Sequence, residues 1–165
     1  MSRTPDLTVW HITFGTYGSR LHGDEQPTVD RQHNAPGLKF LRPDPARRCW
    51  AQARMLAPPV YLTPDQCLHI EAVLPDLCER GGWDCRVAAA PAEADHVHVL
   101  IAAPAHRHGK GVRRWLKVWL GRSLSARFGR PEQSWWAEGG STKPVYDSRY
   151  YHNVYRYIEK QRSMR

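Results

Sequence analysis

Segments of apolar period two alternate along the chain with segments of helical period, and the alternation predicts its elements. Residues 7–14, LTVWHITF, are rich in β-branched and aromatic side chains and predict a strand. Residues 15–60 carry several Gly and Pro and no sustained period. They predict a long loop-rich insertion with one short helix near 45–56. Inside a small domain such a stretch is either functional or a tolerated insertion.

At Thr63-Pro64-Asp65 the pattern turns helical: Thr63 is placed to cap and Pro64 occupies the first helical position. Cys67, Ile70, Val73, Leu74 and Leu77 then recur at helical spacing until Gly81-Gly82 stops the helix. Residues 83–90 (WDCRVAAA) and 95–102 (DHVHVLIA) predict two more strands, the second strictly alternating in its first half. A basic amphipathic helix follows over 110–128, with an apolar stripe of Val112, Trp115, Leu116, Trp119 and Leu120, and Gly129-Arg130-Pro131 ends it. Residues 134–146 predict a strand or hairpin around Gly139-Gly140, and a last helix starts near Asp147, whose side chain can cap it. The order strand, helix, strand, strand, helix, strand is that of a ferredoxin-like βαββαβ fold of the α+β class, an antiparallel sheet with its helices on one face. One domain spans 1–165, and the final helix is an addition the basic fold does not need.

Composition narrows the setting. The 165 residues are 41% apolar, enough for a core, and no apolar run approaches the roughly 20 residues of a membrane helix. The N-terminus lacks a secretory pattern, and Cys49, Cys67, Cys78 and Cys85 form no C-x-x-C pair, so a cytoplasmic protein with reduced thiols is expected. The net charge of +8 is uneven: residues 106–165 hold 14 Lys/Arg against 4 Asp/Glu. That asymmetry suits a polyanionic partner, and an ordinary solvated basic surface accounts for it equally. The same choice applies to the stripe Lys110, Arg113, Arg114 and Lys117. Seven Trp and seven Tyr, Trp135 and Trp136 among them, offer either core or base-stacking surface.

The candidate chemistry sits on two elements. His96 and His98 are two apart on a strand, so both imidazoles point to one face and form either a metal-binding pair or two surface histidines. Asp95 before them can hold an imidazole or serve a turn. On the last helix, Val154, Ile158, Tyr151 and Tyr155 share the face expected to meet the core, while Tyr157 and Gln161 stack one turn apart on a neighbouring face, with Tyr150 earlier on that side. A tyrosine hydroxyl and an amide oxygen beside a two-histidine metal can attack a phosphodiester and complete the metal's protein ligands.

Asp95-His96-Val97-His98-Val99-Leu100-Ile101, followed some 55 residues on by Tyr157-Ile158-Glu159-Lys160-Gln161, resembles the single-tyrosine HUH transposases, the insertion sequence 200-like family with its REP-associated tyrosine transposases. The opening WHITFGTYGSRLHGD and the stretch Trp136-Ala137-Glu138-Gly139-Gly140-Ser141 share the likeness, which spans most of 7–161. The resemblance implies a ferredoxin-like fold and a Mg²⁺ or Mn²⁺ site on His96, His98 and Gln161. It also implies Tyr157 as nucleophile, single-stranded DNA with hairpins as substrate, and a possible homodimer. The 15–60 stretch is long for the compact members and is closer to the REP-associated type. A non-catalytic, repurposed transposase that binds hairpin or single-stranded DNA is the alternative. A histidine-triad hydrolase would need a third histidine where the chain has Leu100.

Overall fold

Strands β1 (Leu7–Gly15) and β3 (His96–Pro104) pair antiparallel along their whole length and form the middle of the sheet. In the computed structural model, which describes residues 6–25, 41–92 and 95–163, β4 (Ser141–Val145) flanks β1 and β2 (Asp84–Ala89) flanks β3. The order β2-β3-β1-β4, with every pairing antiparallel, is the ferredoxin-like α+β arrangement the sequence predicts. The helices are α1 (Pro45–Gln52), α2 (Pro64–Arg80), α3 (Gly109–Phe128) and α4 (Ser148–Lys160). The short helix expected within the 15–60 insertion is α1, and residues 26–40 of that insertion lie outside the described residues.

The two caps that the sequence predicts are both in place. The Thr63 hydroxyl accepts from Gln66 N, and the Gln66 side chain accepts in return from Thr63 N, a reciprocal cap on α2. The Asp147 carboxylate accepts from Tyr150 N and starts α4.

Alternation along β1 and β3 separates two cores. Ile12, Phe14, Val97, Val99 and Ile101 face α2 and α3, where they meet Ile70, Leu74, Leu77, Leu116, Leu120 and Leu124. The other sheet face carries Leu100, Val87, Ala89 and Val145, and α4 closes over them with Val154 and Ile158, flanked by Tyr151 and Tyr155. The added helix therefore lies on the face opposite α2 and α3. The same alternation turns His96 and His98 toward α4.

Gly140 fixes where β4 begins. Its φ is +125°, and a Cβ there would stand 2.5 Å from the Thr13 carbonyl oxygen, so glycine alone lets the chain lie this close to β1. Among the described residues no helix is long and apolar enough to cross a membrane.

Candidate active site

The β1–β3 register places Thr13 opposite His98 and Gly15 opposite His96. The Thr13 hydroxyl lies 2.9 Å from His98 Nδ1, and His11, the next residue of β1 on that face, stacks on the His98 ring at 5.6 Å between centroids. His11 Nε2 is 3.4 Å from His98 Nδ1. An Nδ1–H donated to Thr13 leaves the lone pair of His98 on Nε2, the form a metal ligand needs. Burial, then the charges of His96, His11 and Arg20, push the His98 pKa down to about 3. Burial and the charge of Lys143 push His11 down to about 4. Both imidazoles are therefore neutral at ordinary pH.

His96 is held from its other side. Its Nδ1 bonds the Asp95 carboxylate, and its ring meets the His98 ring edge-on at 4.7 Å. Asp95 is in turn gripped by Arg20, whose Nε donates to Oδ2 at 2.7 Å and whose Nη2 donates to Oδ1 at 3.1 Å. Burial acts to raise the Asp95 pKa, but the hydrogen bonds from His96 and Arg20 outweigh it and hold the carboxyl down to about 2. The ionised carboxylate fixes the ring orientation of His96 and directs the proton to Nδ1.

Helix α4 brings Tyr157 to this place. The Tyr157 ring stands edge-on to His98 at 5.4 Å, and Tyr157 is 49% exposed, so the phenol is open to a substrate. One turn later, Gln161 follows the end of α4. The chain beyond it is pinned: Ser163 N donates to the buried Glu71 carboxylate at 2.7 Å, and Ser163 Oγ donates to Ala90 O at 2.7 Å. Ala90 directly follows Ala89, the ladder partner of His98. Gln161 thus lies between the end of α4 and this anchored segment. His98 Nε2 and Gln161 Oε1 are buried and have no hydrogen-bond partner. Two orphaned acceptors, an imidazole nitrogen and an amide oxygen, suit a divalent cation. Among the described residues no group of three or more His, Cys, Asp or Glu side chains is placed to hold a metal.

The remaining expected contacts divide. Lys110 and Arg114 are exposed on α3. Arg113 and Lys117 are occupied by the 137–140 loop: Arg113 Nη1 donates to Gly140 O, and Lys117 Nζ donates to Ala137 O at 2.7 Å and to Gly139 O at 2.6 Å. Burial and the neighbouring Arg113 charge push the Lys117 pKa down to about 8, against the pull of Glu138. Trp135 and Trp136, offered by the sequence as core or base-stacking surface, lie in the core. Each is 8% exposed within the main core. The 135–137 segment bonds the end of β1 (Tyr17 N to Trp135 O, Ala137 N to Gly15 O) and so tucks both indoles under α3. There their N–H groups donate to Ser125 Oγ and Lys117 O. Sequence reasoning missed His11, Thr13, Arg20 and Glu71. His11 and Thr13 were detectable as the polar positions of an alternating strand, whereas Arg20 and Glu71 carry no local signal.

No protein-family model matches the chain, and no curated protein matches it. Among solved structures, the chain is similar to a Deinococcus radiodurans R1 protein provisionally named a transposase, with 13% identity, a TM-score of 0.48, and coverage of 98% of this chain and 96% of that one.

Proposed function

We propose that the chain is a metal-dependent, single-tyrosine DNA strand transferase of the HUH class, acting on single-stranded DNA. The observation that carries this reading is the Tyr157 ring standing edge-on to His98, whose buried Nε2 has no hydrogen-bond partner; Gln161 Oε1, four residues after Tyr157, is likewise buried and partnerless. His96, His98 and Gln161 would hold Mg²⁺ or Mn²⁺, which when bound polarises the scissile phosphodiester and offsets its charge. Asp95 and Thr13 keep the two imidazoles oriented for that purpose. The Tyr157 oxygen attacks phosphorus and gives up its proton to solvent; the P–O3′ bond breaks and the 3′ oxygen leaves as a hydroxyl. The 5′ phosphate stays on Tyr157. A 3′-hydroxyl from another strand reverses the attack and seals a new phosphodiester, so the bond energy is kept and no nucleotide cofactor is consumed. Exposed Lys110 and Arg114 supply charge for the DNA backbone.

Incubating the protein with hairpin-containing single strands, with and without Mg²⁺, tests the reading. A covalent protein–DNA adduct should form only with metal. Tyr157→Phe should abolish the adduct and leave strand binding intact. Adduct formation by Tyr157→Phe would remove Tyr157 from the role and point to Tyr150 or Tyr155.

A further inference from the structure

Helix α2 carries one position that its apolar stripe does not explain. Its buried residues are Cys67, Ile70, Glu71, Leu74, Leu77 and Cys78, so a glutamate stands in the row that faces the core. Glu71 is 3% exposed. A carboxylate so placed opposes folding unless donors surround it. The donors are main-chain groups from two distant segments. Glu71 Oε1 accepts from Ala90 N at 3.0 Å and from Ser163 N at 2.7 Å. Ser163 Oγ closes the ring by donating to Ala90 O at 2.7 Å. Arg162 Nε lies 4.0 Å from Glu71 Oε2. A leucine at 71 would extend the apolar row, but it would deprive the Ala90 and Ser163 N–H groups of that acceptor.

The three linked residues join two parts of the candidate site. Ala90 directly follows Ala89, which pairs with His98 on the β2–β3 ladder. Ser163 stands two residues beyond Gln161. Upstream, Ile158 is the last residue that α4 buries against the sheet, and Gln161 already lies past the helix at φ −94° and ψ 0°. A helix end frays where nothing holds the chain beyond it. Gln161 is bracketed by Ile158 three residues before and Ser163 two residues after. Its Oε1 is buried and makes no hydrogen bond, so no bond of that oxygen fixes the amide. Its placement falls to the two brackets.

We infer that Glu71 is a positioning residue for the Gln161 amide. From the opposite face of the sheet it holds the chain beyond α4, and through Ala90 it ties that chain to the strand that pairs with His98. The inference rests on the proposed metal site, and it adds to that site a residue that touches none of the reacting groups.

Mn²⁺ affinity, read by titration calorimetry on the full chain, tests it. Glu71→Leu keeps the helix face apolar and removes the acceptor, whereas Glu71→Gln keeps an oxygen in the same place. Glu71→Leu should bind Mn²⁺ about tenfold more weakly, and Glu71→Gln should stay within about twofold of wild type. Ser163→Pro removes the N–H and the hydroxyl from the other end, at an exposed position that leaves α2 untouched, and should match Glu71→Leu. It answers the question by itself if Glu71→Leu does not fold. The decisive comparison repeats both changes in a Gln161→Ala background. A residue that acts through Gln161 has nothing left to position there, so neither change should weaken binding further. A merely structural role lowers affinity by the same factor in both backgrounds, and that result overturns the inference, as does wild-type affinity in Ser163→Pro. A wild type that binds no Mn²⁺, or a Gln161→Ala variant that binds it as tightly as wild type, overturns the proposed metal site and the positioning role with it. Weakened binding by Gln161→Ala with additive effects of Glu71→Leu or Ser163→Pro overturns the positioning role alone.

Discussion

Ile158→Ala isolates the packing that presents Tyr157. Ile158 is fully buried and, with Val154, holds α4 on Val87, Ala89 and Leu100. The substitution deletes three carbons, about 2.4 kcal/mol of transfer free energy at roughly 0.8 kcal/mol each, and the cavity left behind brings the total to about 3–4 kcal/mol. The α4 core is separate from the core between the sheet and α2/α3, so the loss falls on α4 docking. Local opening of α4 should become roughly 150-fold more frequent, as about 3 kcal/mol requires. Amide hydrogen exchange over 148–160 reads this directly, and adduct formation should fall with it. Leu120→Ala, a truncation of similar size in the other core, is the control: it lowers global stability but leaves the local opening of α4 unchanged. If both variants accelerate α4 exchange equally, or if Ile158→Ala leaves exchange and adduct formation untouched, α4 docking is not what positions the nucleophile.

Two further outcomes follow from the residues around the histidines. Asp95→Asn removes the ionised partner of His96 and should weaken Mn²⁺ binding about 10–100-fold by titration calorimetry, with Arg20→Ala a milder version; affinity equal to wild type would deny Asp95 its orienting role. In the presence of a chelator, stability should fall as pH drops below 6.5, because the unfolded chain then takes protons that half-buried His11 and buried His98 refuse down to about 4 and about 3. The slope is at most about 1.4 kcal/mol per pH unit for each histidine, and smaller for His11, which keeps some solvent contact. Urea midpoints from pH 7 to 4.5 measure it: His11→Gln should flatten the fall, and a flat wild-type profile would contradict the burial argument. Asp95 acts only lower, where its stabilisation is lost as pH falls from 3.8 toward 2.

The order of elements, the caps at Thr63 and Asp147, the common face of His96 and His98, and the one-turn spacing of Tyr157 and Gln161 were all legible in the chain. Each depends on periodicity or capping within a few residues, and the backbone enforces those rules locally. Other features waited on the tertiary structure. Thr13 and His11 meet His98 only through a strand register that joins positions 85 and more residues apart, and no local pattern encodes that register. Arg20 reaches Asp95, and Glu71 reaches Ser163, through loop and helix placements of the same non-local kind. Trp135 and Trp136 show the limit most plainly. An aromatic side chain suits a core and a binding surface alike, and the pairing of 135–137 with the end of β1 buries both. Likewise the apolar face of α4 required a partner without naming one. The unfilled side of the sheet, opposite α2 and α3, decided that α4 and its Tyr157 would lie over the histidines.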